Sequence, residues 1–76
     1  MTAARLTIYT ANEIVAKLVK LGFVLRPRTA TSHLRLVHPD GRKVTVPQHK
    51  GSDVGRGLLR KILRDAEISP DEFAKL

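Results

Sequence analysis

A chain of 76 residues has room for one hydrophobic core, and the absence of cysteine excludes disulfides, thiolate metal sites and thiol catalysis. At 42% apolar residues it should fold; no apolar run reaches membrane-spanning length and residues 1–9 lack a signal peptide's apolar stretch, so a cytoplasmic protein with no membrane partner is expected. Fourteen Lys/Arg against seven Asp/Glu give a net charge of +7, which points to a polyanion or an acidic protein surface as partner.

Residues 1–9 are expected to form a tail or an extra edge strand, ahead of a single domain over residues 10–76. Thr10-Ala11-Asn12-Glu13 has the spacing of a capping box, with Tyr9 and Ile14 at the two positions of a hydrophobic staple. Ile14, Val15, Leu18 and Leu21 then recur at helical spacing, with Lys17 and Lys20 off that stripe, and Gly22 supplies a left-handed stop. Phe23 to Arg26 reads as a short strand ended by Pro27, followed by a polar loop from Arg28 to Thr31.

From Ser32 to Val37 the side chains alternate, Leu34 and Leu36 to one face and His33 and Arg35 to the other. Pro39-Asp40-Gly41 marks a tight turn, and Arg42 to Pro47 alternates again, Val44 and Val46 against Lys43 and Thr45. Gln48 to Gly57 is a polar connection. Leu58, Leu59, Ile62, Leu63 and Ala66 predict a second amphipathic helix, with Arg56, Arg60 and Arg64 as a separate i, i+4, i+8 stripe. Ser69-Pro70-Asp71-Glu72 is a further capping box, opening a last short turn through Phe73. The order predicts an α+β fold: a three-stranded antiparallel sheet with both helices on its apolar face and the other face open.

Between Arg26 and Arg64 ten basic residues meet only Asp40 and Asp53, so that segment alone carries +8. All three histidines lie inside it. His38 shares the parity of Leu34 and Leu36 beside the turn and reads as structural. His33 points to the open face, as an exposed surface residue or as a reacting group. His49 lies in a loop, where parity predicts no direction. Three histidines without Cys partners, one of them turned inward, make a poor zinc site, so neither a metal nor a cofactor is expected. Ser32 and His33 are adjacent on a strand and face opposite sides, which argues against a Ser-His-Asp triad.

A histidine among cations suits cleavage of RNA by its own 2′-hydroxyl. The substrate supplies the nucleophile, and the protein supplies proton transfer and anion stabilisation. An imidazole titrates near neutral pH, and positioned proton transfer is worth roughly 10²–10⁴ in rate. Arg35, Lys43 or Lys50 can hold the phosphate. Arg28 and the Arg56, Arg60 and Arg64 stripe extend the candidate RNA-binding surface, and His49 is a candidate second acid/base.

Across about Asn12 to Phe73 the chain resembles the HicA toxins, the mRNA-cleaving halves of HicA–HicB toxin–antitoxin pairs. Leu21-Gly22-Phe23, Thr31-Ser32-His33, His38-Pro39-Asp40-Gly41, Val44-Thr45-Val46-Pro47 with His49, and Gly57-Leu58-Leu59-Arg60-Lys61-Ile62-Leu63 carry the likeness through their order and spacing. The resemblance implies an α-β-β-β-α fold like that of double-stranded-RNA-binding domains. It also implies that the histidine of the family's Gly-Ser-His motif, here His33, is catalytic; the family's Gly is Thr31 in this chain. The implied partner is a HicB-type antitoxin that covers the active face and itself supplies contact with operator DNA.

Two readings of the same surface stand beside each other: a metal-independent endoribonuclease and a non-catalytic RNA-binding module. Aromatic residues are 4% of the chain, and parity puts none of Tyr9, Phe23 or Phe73 beside His33, which disfavours a base-stacking platform but leaves a duplex binder open. A DNA-binding repressor is weaker still, since Gln48 to Arg64 shows no helix-turn-helix pair.

Overall fold

Two reciprocal hydrogen bonds start the first helix. Thr10 Oγ1 accepts from the Glu13 N–H at 3.2 Å, and Glu13 Oε1 accepts from the Thr10 N–H at 2.8 Å. The computed structural model describes residues 8–26, 33–47 and 53–76. In chain order these form β1 (Tyr9–Thr10), α1 (Ala11–Lys20), β2 (Val24–Leu25), β3 (His33–Val37), β4 (Lys43–Pro47), β5 (Asp53–Val54), α2 (Arg56–Ala66) and α3 (Pro70–Ala74).

Gly22 ends α1 with φ at +106°, and the Gly22 and Phe23 N–H groups bond back to the Val19 and Leu18 carbonyls. That pattern satisfies two carbonyls that the last turn would otherwise leave open. The hairpin between β3 and β4 closes through Gly41, at φ +104°, with its N–H donating to the His38 carbonyl at 2.9 Å. β2, β3 and β4 form one antiparallel sheet in that order, in the register Leu25 with Leu36, Leu36 with Val44 and Leu34 with Val46.

Leu34, Leu36, Val44 and Val46 are buried in one cluster with Ile14 and Leu18 of α1 and Leu59, Ile62, Leu63 and Ala66 of α2. Both helices therefore cover the same face, as the alternation predicts, and residues of opposite parity remain outside. Burying each of these large apolar side chains contributes about 1.5–3 kcal/mol before the entropy of ordering the chain is subtracted.

Three local features add to the expectations. Tyr9 is not part of a tail: β1 pairs with β5, Tyr9 opposite Val54 and Thr10 opposite Asp53, and the Tyr9 ring packs edge-on against Phe73 at 5.2 Å. The extra strand thus builds a separate two-stranded sheet, and the connection expected from Gln48 to Gly57 contains β5. Lys17, expected off the apolar stripe, turns to the end of α3, where its Nζ donates to the carbonyls of Phe73 at 3.3 Å and Leu76 at 3.0 Å. A cation is favoured at a helix C-terminus, where unpaired carbonyls point outward. Residues 1–7 lie outside the described residues.

Candidate active site on the open sheet face

The face of the sheet away from the helices carries His33 and Arg35 from β3 and Lys43 and Thr45 from β4, all exposed. Their direction follows from the pleat: each is flanked by residues that the core requires on the other side. Cross-strand pairs set the layout. His33 stands opposite Pro47, Arg35 opposite Thr45, and Val37 opposite Lys43.

The register separates residues that the sequence put in one group. Arg35 is two positions from His33 on the same strand face, about 6.6 Å along the backbone. Lys43 is at the other end of the sheet, level with Val37 and about 13 Å from His33. Of the two described cations that the sequence grouped with His33 on this face, Arg35 is accordingly the nearer. Arg28, His49 and Lys50, which the sequence also nominated, lie outside the described residues.

The arginine stripe of α2 is exposed along its length, and the sheet decides its order relative to His33. Arg42, just ahead of β4, donates through Nη1 to the carbonyl of Ala66, the last residue of α2. Because Leu59, Ile62 and Leu63 bury against the sheet, α2 runs antiparallel to β4, and its first turn lies toward the Pro47 end. Arg56 is therefore level with the His33 end. Arg64, about 12 Å further along the axis, is level with the hairpin. The stripe projects from the helical layer and not from the sheet face, so the structure does not bring it together with His33.

Two cations of the +8 segment are paired with acids. Arg42 also donates through Nε to Asp40 Oδ2 at 2.8 Å and lies over the Phe23 ring at 5.1 Å, and Lys61 pairs with Asp65 at 3.0 Å. The Arg42 guanidinium and backbone N–H, both bonded to Asp40, hold that carboxyl below the usual carboxylate range. His38 is structural, as its parity implies. Its Nε2 is 3.1 Å from the Leu21 carbonyl and its Nδ1 accepts from the Asp40 N–H at 3.1 Å, which assigns the proton of the neutral ring to Nε2. The ring packs edge-on against Phe23 at 5.0 Å.

Arg26, an exposed cation, entered the sequence analysis only as a strand end and part of the charge count. The Arg26 N–H donates to the Arg35 carbonyl at 2.8 Å, which carries the β2–β3 ladder one residue past β2. Arg26 therefore shares the open face with Arg35. The sequence carried no clear signal for it, because Val24, Leu25 and Arg26 are all exposed and only the pairing of Leu25 with Leu36 fixes the register.

Residues 11–68 match the family model described as HicA toxin of bacterial toxin-antitoxin, which is most of the chain. The chain belongs to the HicA toxin family. It is thus the toxin of a toxin–antitoxin system, and an antitoxin is its implied partner. No curated protein matches the chain. The HicA match begins at the first residue of α1 and ends two residues past α2, so it spans the whole three-stranded sheet and both covering helices. No helix among the described residues is long and apolar enough to cross a membrane.

Proposed function

We propose that this HicA-family chain is a metal-independent endoribonuclease that cleaves mRNA, with His33 as its general acid or base. The observation that carries the reading is the position of His33: exposed on the sheet face away from the core, with Arg35 two residues along the same face. His33 takes a proton from the ribose 2′-hydroxyl, or gives one to the departing 5′-oxygen. The 2′-oxygen attacks the adjacent phosphorus, the P–O5′ bond breaks, and the products end in a 2′,3′-cyclic phosphate and a 5′-hydroxyl. Arg35 holds the non-bridging oxygens as charge develops on them.

Lys43 and the α2 arginines serve more distant phosphates, Arg56 first because it is level with His33. The partner is a HicB-type antitoxin whose acidic surface competes for these cations and so silences the toxin; contact with operator DNA belongs to the antitoxin. A test uses purified protein, single-stranded RNA and EDTA. Fragments ending in cyclic phosphate, with DNA of the same sequence left whole, are expected. Binding of RNA without cleavage would replace the enzyme with a binding module.

A further inference from the structure

Arg26 and Arg35 form a cross-strand pair of like charge. Their backbones are joined by the 2.8 Å hydrogen bond from the Arg26 N–H to the Arg35 carbonyl, both side chains are exposed, and both leave the sheet on its open face. Residues hydrogen-bonded in this way have Cα atoms about 5.5 Å apart, close enough for two guanidinium groups to repel. Among the described residues no acid is paired with either of them: β2, β3 and β4 contain no Asp or Glu, and Asp40 at the hairpin is paired with Arg42. Lys43, on the same face, adds to the same sign. Sheets generally place opposite charges in such pairs, so an unrelieved Arg–Arg pair marks a position where an anion completes the structure.

We propose that Arg26 and Arg35 are a two-guanidinium clamp for one phosphodiester of a single-stranded nucleic acid. Each guanidinium offers a planar fork of donors that fits the paired oxygens of a phosphate, and two forks from neighbouring strands approach one phosphate from both sides. Arg35 is about 6.6 Å along the strand from His33, close enough for a phosphate held by Arg35 to keep its own ribose over the imidazole. Where the ligand is RNA being cut (this placement rests on the ribonuclease reading), the clamp holds the scissile phosphate itself, Arg26 gripping it beside Arg35, and sets the register of the strand over His33. The clamp itself needs no 2′-hydroxyl and takes DNA as readily.

The experiment uses a short fluorescent DNA oligonucleotide, with anisotropy read over a range of salt concentrations, and inorganic phosphate as a second probe in thermal melts. Arg26→Gln should weaken oligonucleotide binding about tenfold and lower the log–log salt slope by about 0.7, the loss of one single-strand phosphate contact. Arg26→Lys should restore the slope but only part of the affinity, because the point charge remains and the fork does not. In phosphate-free buffer Arg26→Gln should melt at or above the parent temperature, and added phosphate should raise the parent more than the variant. Unchanged affinity and slope would overturn the clamp, even if the variant bound an acidic protein less well. So would a lower melting temperature in phosphate-free buffer, since the residue would then be structural. RNA cleavage by the parent is scored separately: a chain that cuts RNA with Arg26 irrelevant loses the clamp and keeps the enzyme, and the reverse result does the opposite.

Discussion

Gly22 and His38 fit together because one of them has no side chain: a Cβ on Gly22 would stand 2.9 Å from His38 Nε2, the atom that meets the Leu21 carbonyl. The contact ties the end of α1 to the end of β3, and so locks the helix onto the sheet that presents His33. Gly22→Ala meets two penalties, a side chain at φ +106° and displacement of the imidazole. We expect a loss of about 2–4 kcal/mol in urea unfolding, from backbone strain plus one broken hydrogen bond. A change under 0.5 kcal/mol would show that the junction yields easily.

His33→Ala should abolish RNA cleavage in EDTA while leaving the melting temperature and RNA affinity close to those of the parent, because the side chain is exposed. Gel analysis of a labelled RNA, beside a binding assay, reads both. Cleavage at the parental rate would remove His33 from the chemistry.

The α2 arginines should not be equivalent. Since α2 runs antiparallel to β4, RNA affinity should fall most for Arg56→Ala, less for Arg60→Ala and least for Arg64→Ala, each real contact flattening the salt dependence by about 0.7. Filter binding at several salt concentrations would rank them. The reverse ranking would place the RNA at the hairpin end.

Asp40 should make stability depend on acid pH. Its carboxyl is held below the ordinary value chiefly by the hydrogen bond from Arg42, so the folded state keeps it ionised where the unfolded state protonates it. That contribution is fully present above the ordinary carboxylate range and is lost as pH falls through the lowered value. Asp40→Asn should therefore melt below the parent at pH 7, and the two curves should converge in strong acid. A gap that persists there would assign the effect to packing and not to charge.

Leu36 is fully buried between the helices and the centre of the sheet. Leu36→Ala should cost about 2–5 kcal/mol in chemical denaturation, the transfer of the lost methyl groups plus a cavity. A smaller loss would mean that the helices collapse onto the gap.

What the sequence determined by itself was local. Capping boxes at Thr10 and Ser69, glycines at Gly22 and Gly41 and the two-residue alternation of β3 and β4 each act within a few residues, so helix starts, the hairpin and the outward direction of His33 and Arg35 were all legible. Tertiary structure alone decided how distant groups share one surface. The β1–β5 pairing joins segments of two residues, too short to carry a pattern. Lys17 and Arg42 read as free cations because the carbonyls they cap lie 56 and 24 residues or more away in sequence. Left-handed Glu67, at φ 57°, ends α2 where no glycine announces it. Register and helix direction, set by which side chains fill one core, moved Lys43 away from His33, drew Arg56 to its level and set Arg26 against Arg35. Alternation tells a residue which face it occupies; only packing tells it which neighbours it has there.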